Sequence, residues 1–300
     1  MIQVRRLGHA TFETPDVARQ ADYYAEVIGL QVHRDGKRAI LCTGLGEEVV
    51  IFQPGSAARL TNIALQVAPD VELADVAKAL QGHGVKAERR SDISPGLSAA
   101  MAFADPNGTK VELFTQAKLS ESRQPVGGVA PLKLGHIASL GPDAKVISDF
   151  YITALGFRVS DWIEDYFAFL RCGPEHHTLN FITGSGNFMH HIAFQLSDWN
   201  HLQKACDVLA QHKRTLIWGP GRHGVGHNVF VYHRDPDEHI IELFAEMDQM
   251  NDESLGYFEP RPWHHDRPQR PKVWERKYAA MTWGPPPTAD FLRNQSRTAH

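Results

Sequence analysis

The chain repeats itself, and this duplication restricts its possible folds more than any other feature of the sequence. Three residues recur at a constant spacing of 127 positions: His9 as His136, Tyr24 as Tyr151, and Gly29 as Gly156. Toward the end of each copy the spacing is only slightly larger, 130 positions between Glu112 and Glu242. Few insertions therefore separate the copies, and a chain of 300 residues is long enough to give each copy its own core.

Within each copy a shorter pattern also occurs twice. The copy opens with a strand (LGHATF or LGHIAS), continues with a helix at 16–28 or 143–155, and goes on to short strands of alternating apolar and polar residues. The pattern then restarts at Asn62 in the first copy and at His191 in the second. The sequence therefore predicts an α+β fold of four βαβββ modules, arranged as two tandem domains.

The repeats divide the chain into four parts. We expect an N-terminal domain at 1–119, a linker at 120–131, a second domain at 132–247 and a tail at 248–300. The linker is rich in proline and glycine, as flexible connections are. The tail is rich in proline and tryptophan and matches no repeat unit. Packing on the second domain and packing on a neighbouring subunit are both compatible with its composition.

The overall composition excludes several classes of partner. The formal net charge of −4, from 31 Lys and Arg against 35 Asp and Glu, offers no basic surface for nucleic acid. No apolar run approaches the roughly 18 residues of a membrane span, and the N-terminus lacks the apolar core of a signal peptide. The three scattered cysteines form no CxxC motif, which argues against disulfides and a thiolate metal site. We therefore expect a cytoplasmic protein that binds neither nucleic acid nor membrane.

Histidine is distributed unevenly along the chain. Of its 17 histidines, only His9, His33 and His83 precede residue 128, and the other 14 follow it. Exposed surface histidines without a function would be expected in similar numbers in two copies of one domain. The imbalance predicts that the second copy carries chemistry that the first lacks.

The strand that restarts the pattern in the second copy contains two adjacent histidines. In the stretch HHIAFQL at 190–196, His190 alternates with apolar residues, whereas His191 alternates with Ala193 and Gln195. Successive side chains of a strand point to opposite faces, and the apolar face should pack beneath the helices. We therefore expect His191 to point into a cavity and His190 to point away from it.

A carboxylate completes a candidate metal site. Glu242 lies in the apolar strand IIELF, where a charge is costly unless it is paired or bound to a metal. With His136 and His191 it gives two imidazoles and one carboxylate, the donor set of mononuclear non-haem Fe(II) sites, which also suits Mn(II). The first copy has Asn62 in place of the second histidine, and an amide is a poor substitute for imidazole. We predict a metal ion in the second domain and none in the first.

Further residues of the second copy match a known family. Four pieces carry the match: Gly221-Arg222-His223, Val231-Tyr232, Asp235-Pro236 and Glu242. With them the chain resembles the type I extradiol dioxygenases of the vicinal oxygen chelate superfamily. Glu238 departs from the pattern, because the family usually has Gly or Pro in this turn. The resemblance implies that each domain is an incomplete mixed β-barrel around a cavity.

The resemblance also implies an activity. Such an enzyme opens the ring of a catechol beside one hydroxyl, in the breakdown of aromatic compounds, and inserts both atoms of O2 to give a semialdehyde or keto acid. Fe(II), or alternatively Mn(II), would be held by the three donors of the candidate site, and O2 would be the co-substrate. His177 would stabilise the bound oxygen and donate a proton, while Tyr232 and His223 would hydrogen-bond the substrate oxygens. A homo-oligomer is also expected.

The substrate and two rival functions stay open. Relatives that take carboxylated catechols tend to have arginine at the place where this chain has Trp218. This favours a neutral or hydrophobic ring, and we take Trp218 and Phe169 as candidate substrate-binding residues. A metal-dependent glyoxalase-like isomerase or lyase would share the fold, although such enzymes usually use two carboxylates. A non-catalytic small-molecule-binding protein, similar to bleomycin-resistance proteins, would not need the three donors.

Overall fold

The computed structural model describes residues 2–121 and 127–293. Residues 122–126 of the expected linker and 294–300 of the expected tail therefore lie outside the described residues. The described part of the chain contains no helix that is both long and apolar enough to cross a membrane.

The first copy consists of eight strands and two helices. In chain order these are β1 (Val4–Thr14), α1 (Val17–Tyr23) with a π-helical turn (Tyr24–Ile28), β2 (Gln31–Asp35), β3 (Arg38–Cys42), β4 (Glu48–Pro54), β5 (Arg59–Val67), α2 (Leu73–Gly82), β6 (Glu88–Ser94), β7 (Leu97–Ala104) and β8 (Lys110–Phe114).

The second copy repeats this order and is followed by the tail. It contains β9 (Lys133–Gly141), α3 (Ala144–Leu155), β10 (Arg158–Ile163), β11 (Phe167–Arg171), β12 (Leu179–Thr183), β13 (Phe188–Gln195), α4 (Trp199–Gln211), β14 (Trp218–Arg222), β15 (Val229–Arg234) and β16 (Ile240–Ala245). The described tail residues add β17 (Lys272–Trp274), α5 (Arg276–Ala279) and α6 (Ala289–Leu292).

Each copy forms one open, mixed sheet. The strand orders are β2-β3-β4-β1-β5-β8-β7-β6 and β14-β15-β16-β13-β9-β12-β11-β10-β17. In both sheets the first strand of the copy is central, parallel to the fourth strand and antiparallel to the fifth. The strand order is open in both sheets, so neither closes into a barrel, and the expected α+β fold of incomplete mixed barrels is confirmed.

The first helix of each copy has matching caps. Asp16 accepts a hydrogen bond from the Arg19 amide, and Asp143 accepts from the amides of Lys145 and Val146, as N-cap residues do. At the other end Gly156 adopts φ +74°, a left-handed conformation that favours glycine. A Cβ atom there would also approach the Ile2 carbonyl oxygen to 2.5 Å. The glycine therefore ends the helix and allows the other copy to pack closely against it.

The two copies interlock through a reciprocal pair of buried hydrogen bonds. The Tyr24 hydroxyl donates to Asp235 at 3.3 Å, and the Tyr151 hydroxyl donates to Asp105 at 3.0 Å. Each tyrosine therefore reaches the Asp-Pro turn of the opposite copy. Apolar residues of both copies also belong to one buried cluster. The contact between the copies is thus pseudo-symmetric, because equivalent residues of each copy make the same hydrogen bond to the other.

The tail packs on the second copy over its described length. Its strand β17 pairs in parallel with the edge strand β10 and extends that sheet. Further on, Phe291 packs against Trp218 and Tyr232. The tail thereby closes one side of the cavity described below.

Glu238 occupies a strained turn, and this leads to a stability prediction. Its φ is +67°, whereas the corresponding residue of the first copy is Gly108, with φ +82°. The left-handed region costs a non-glycine residue about 1–2 kcal/mol, partly offset by the extra entropy that glycine adds to the unfolded chain. We expect Glu238→Gly to raise the free energy of unfolding by about 0.5–1 kcal/mol.

The first copy supplies the matched control for this turn. A Cβ atom at Gly108 would meet nothing within 4 Å, so Gly108→Ala adds backbone strain without a clash. It should lower the free energy of unfolding by a similar amount. Denaturant unfolding of both variants measures the effect, and a Glu238→Gly variant less stable than the parent protein would contradict the assignment of strain.

Candidate metal centre

Three adjacent strands bring the predicted donors together. His136 lies on β9, His191 on β13 and Glu242 on β16, and all three residues are buried. Ala193 of β13 pairs with His136 on one side and with Glu242 on the other. Because paired residues share a face, the small Ala193 side chain leaves a space that the imidazole and the carboxylate both border.

The distances among the donor atoms fit one metal ion. His136 Nε2 lies 3.0 Å from Glu242 Oε2, His191 Nε2 lies 3.2 Å from the same oxygen, and the two nitrogens are 3.3 Å apart. Ligands about 2.1 Å from an ion and at right angles to one another are about 3.0 Å apart. The three atoms can therefore occupy one face of a coordination sphere and leave the other positions open.

The charges of these groups suit a cation. Burial lowers the pKa of His136, so this imidazole is neutral and offers a lone pair. Burial works against ionisation of Glu242, but His136 and His191 outweigh it and hold the pKa of the carboxyl well below its usual value. The Asn228 amide also donates to Glu242 Oε1 at 2.9 Å, which leaves Oε2 to face the imidazoles.

The corresponding place in the first copy is closed. Asn62 donates to Glu112 Oε1 at 3.0 Å, and His9 Nε2 is 4.0 Å from the other carboxylate oxygen. Burial raises the pKa of Glu112 above its ordinary value, although the hydrogen bond from Asn62 opposes this effect. The adjoining cavity measures only about 20 Å³. The first copy therefore lacks both the donor set and the space for a metal and a substrate.

The expected orientation of His190 was wrong. A β-bulge interrupts the pairing of β13 with β9, because Met189 lies opposite Ser139 and His191 already opposite Ala138. His190 is the extra residue, and strict alternation fails at a bulge. Its ring lines the same cavity as His191, and its Nδ1 lies 2.7 Å from His191 Nδ1. If His191 offers Nε2 to a metal, its Nδ1–H donates to His190, which then orients the ligand.

Tyr232 and His223 form a second pair in the cavity. The His223 Nδ1 lies 2.7 Å from the Ala280 carbonyl oxygen, which can only accept, so Nδ1 carries the proton. Burial lowers the pKa of His223 to about 4, so the ring is neutral and its Nε2 is an acceptor. The Tyr232 hydroxyl, 3.0 Å away, therefore donates to His223 Nε2. This leaves the lone pairs of the Tyr232 oxygen available to a ligand.

His177 is held by a chain of hydrogen bonds. The Asp161 carboxylate accepts from His176 Nε2 at 2.9 Å, which makes the His176 Nδ1 an acceptor. His177 Nδ1, 3.0 Å from that atom, therefore carries a proton and donates it. Burial lowers the pKa of His177 well below its ordinary value, so the ring is neutral and its Nε2 keeps a lone pair.

This series of hydrogen bonds extends to the tail of the protein. Asp161 also accepts hydrogen bonds from the Lys272 amide at 2.7 Å and from Trp274 Nε1 at 2.8 Å, both on β17. The His177 ring packs against His136, with ring centroids 4.4 Å apart. A tail strand thus fixes, through two intermediate side chains, a histidine that touches a candidate metal ligand.

The three donors border one cavity of about 430 Å³, a typical ligand-pocket size, and they share it with His177, His190, His223 and Tyr232. Its walls include both candidate substrate-binding residues, Trp218 and Phe169. Sequence reasoning missed other members of the wall, chiefly Asn180, Ile163 and the tail residues Phe291 and Arg276. The tail matches no repeat unit and so gave no periodicity from which its residues could be placed.

Comparison with known proteins identifies the family. The model of the Glyoxalase/Bleomycin resistance protein/Dioxygenase superfamily matches residues 6–113 and 133–243, so one match falls on each copy. These segments cover most of the chain and contain the βαβββ modules described above. The chain therefore belongs to this superfamily, as the sequence predicted.

Individual relatives are distant but span nearly the whole chain. The manganese-dependent 2,3-dihydroxybiphenyl 1,2-dioxygenase of Geobacillus genomosp. 3 is 25% identical over 91% of this chain and 94% of its own. Metapyrocatechase 2 of Cupriavidus necator is 28% identical over 82% of both chains. Among solved structures, the Mn(II)-bound glyoxalase of Novosphingobium aromaticivorans has a TM-score of 0.82 at 22% identity and covers 100% of this chain and 96% of its own. At that identity the structure shows the shared fold alone.

The His190–His191 contact yields a prediction about metal retention. His191→Ala should bind one metal ion fewer per chain than the parent protein, because it removes one of three donors. His190→Ala should keep the metal but weaken its binding by about 10–100-fold, the usual cost of losing a partner that orients a ligand.

Metal content after equilibrium dialysis against buffered Fe(II) or Mn(II) measures both effects. His9→Ala, at the first-copy counterpart of His136, is the control and should bind like the parent protein. If His191→Ala binds as much metal as the parent protein, His191 is not a ligand.

Proposed function

We propose that the protein is an extradiol dioxygenase that cleaves a catechol-type ring with O2. One observation carries the proposal: a three-donor metal set, a Tyr–His pair and a separately anchored histidine face one largely apolar cavity. The relative named as a 2,3-dihydroxybiphenyl 1,2-dioxygenase supports an oxidoreductase of this kind. The product would be a ring-opened semialdehyde or keto acid.

The residues that would hold the metal are His136, His191 and Glu242. Their neutral nitrogens and ionised oxygen suit Fe(II) or Mn(II), and one of the relatives is named as manganese-dependent. When bound, such an ion supplies a place where both catechol oxygens and O2 can be brought together and through which electrons can pass between them. The open side of the donor set faces the cavity, so the substrate can reach it.

Tyr232 and His223 would orient the catechol. Because the Tyr232 hydroxyl donates to His223, its oxygen can accept a hydrogen bond from a substrate hydroxyl. Burial raises the pKa of Tyr232 well above its usual range, so the residue stays protonated and acts by hydrogen bonding. His223 Nε2 is a base at the end of this path and can take up a proton as the substrate ionises.

His177 would handle a second proton. With Nδ1 donating to His176, its Nε2 can first accept a proton from the substrate and later return it when the ring opens. The Asp161–His176 pair fixes this tautomer, in the same way that a carboxylate fixes the tautomer of a catalytic imidazole elsewhere. The ring of His177 lies against His136 and thus beside the metal donors.

The walls of the cavity favour a neutral ring substituent. Phe167 and Phe169 stack with centroids 4.3 Å apart, and Ile163 and Val225 join them in one apolar cluster. The cation on this side is Arg276, which lies over the Tyr166 ring and 3.6 Å from Glu164. Its charge is therefore partly compensated, and alkyl- or aryl-substituted catechols fit this wall better than carboxylated ones.

The fold alone does not separate a dioxygenase from a glyoxalase-like enzyme, since a solved glyoxalase shares it. The donor set does favour the dioxygenase. It contains the single carboxylate Glu242, whereas glyoxalase-like enzymes usually use two. A merely binding protein would not need the three donors and the anchored histidine.

An assay with anaerobically metal-loaded protein tests the activity. We expect 3-methylcatechol and 2,3-dihydroxybiphenyl to give a yellow ring-opened product with uptake of one O2 per molecule, and protocatechuate to react much more slowly. His177→Ala should keep its metal but lose about 100- to 10,000-fold in kcat, the usual cost of losing a general acid–base group.

The exposed His83→Ala serves as the control and should leave kcat unchanged. Absence of yellow product and of O2 uptake with every catechol, in protein shown to hold a full equivalent of metal, would overturn the proposed function. Loss of metal from His177→Ala would instead show that His177 is a ligand.

A further inference from the structure

A second cluster of buried metal-ligating groups lies outside the proposed active site. His227 follows β14, Asp248 follows β16, and His264 belongs to the tail. All three are at most 5% exposed. His227 Nδ1 lies 2.8 Å from Asp248 Oδ2, and His264 Nε2 lies 2.7 Å from Asp248 Oδ1. The donor atoms of the three residues all lie within 4.8 Å of one another.

This set repeats the composition of the first one, with two imidazoles and one carboxylate. Within the described ranges these two are the clusters of three such groups close enough to share an ion. The second cluster has no counterpart in the residues that carry the sequence resemblance. From the sequence, His227 and His264 gave no sign of a role, because no repeat or motif contains them.

The surroundings of the buried Asp248 carboxylate suit a cation. Asp248 is 1% exposed, and each of its two carboxylate oxygens lies within 2.8 Å of an imidazole nitrogen, one from His227 and one from His264. A carboxylate buried in this way is tolerated only when polar partners or a cation surround it. The nearby Arg222 guanidinium is committed to the His227 carbonyl oxygen and to Glu246.

Two structural details further support a metal ion at this cluster. His227 has φ +51°, a conformation that costs a non-glycine residue energy and is often found at ligand clamps. Its side chain also lines a cavity of about 510 Å³ that is separate from the proposed active site. A water molecule could therefore complete the coordination of an ion held by the three donors, as in four-coordinate zinc sites.

We infer that His227, Asp248 and His264 form a second metal site that takes a divalent transition ion of the Zn(II) class. The site is structural. It ties the tail to two loops of the second copy, because the Asp248 amide donates to the Gly226 carbonyl oxygen and the His176 amide donates to the Asp248 carbonyl oxygen, both at 2.9 Å. The clamped loop also contains Asn228, which hydrogen-bonds Glu242.

Substitutions that keep the hydrogen bonds but remove ligand nitrogens test this inference. His227→Asn places an amide N–H near the position of Nδ1, and His264→Gln does so near the position of Nε2. Both can still donate to Asp248, so folding should be preserved, which circular dichroism verifies. Each variant should bind zinc at this site far more weakly, by more than the roughly 10–100-fold caused by losing an outer partner.

Equilibrium dialysis of chelator-treated, full-length protein against Zn(II), followed by metal analysis, counts the sites. The parent protein and the exposed control His212→Gln should bind two ions per chain. His227→Asn, His264→Gln and His191→Ala should each bind one, and the combination of His191→Ala with His264→Gln none.

A different pattern would overturn the second site. If the parent protein binds one ion, and His264→Gln still binds one while His191→Ala binds none, the cluster is only a hydrogen-bonded His–Asp–His group. Retention of two ions by His227→Asn and His264→Gln would likewise contradict it. Thermal melting gives an independent reading, because Zn(II) should raise the Tm of His191→Ala and leave that of the combined variant unchanged.

Discussion

The second half of the molecule depends on one buried charge. Glu242 is 1% exposed on a central strand, and its ionised form is stabilised by His136, His191 and Asn228. A carboxylate in such a place is tolerated only when polar partners or a cation surround it. The partners come from two neighbouring strands and from the loop before β15, so the register of the sheet and the position of that loop both follow from this requirement.

Duplication explains why the first copy could lose the same group of donors. The copies share a sheet topology, and each sends a tyrosine to the Asp-Pro turn of the other. The first copy therefore supports the second through packing that does not require a metal. In the first copy Asn62 donates a hydrogen bond directly to the buried Glu112, and the adjoining cavity measures only about 20 Å³. One copy then provides structural support while the other keeps an open cavity.

The repeat and the alternation of residues were sufficient to predict the fold and to choose the three donors. Both are local, periodic properties of the sequence. His190 was misplaced because a bulge shifts one strand by a single residue, and the pattern HHIAFQL contains no sign of it. The links from Asp161 through His176 to His177, and the second cluster, could not be found because no repeat or motif pairs their members, which tertiary contacts bring together.

The central claim is that one metal ion lies between His136, His191 and Glu242 and receives the substrate from the cavity side. The most direct measurement is anomalous diffraction at the iron edge from crystals of the Fe(II)-loaded protein, grown without O2 and soaked with 3-methylcatechol. The account predicts a strong peak about 2.1 Å from the two Nε2 atoms and Oε2, with the catechol oxygens on its open side. The absence of an iron peak at these three residues, or a catechol bound away from them, would contradict it.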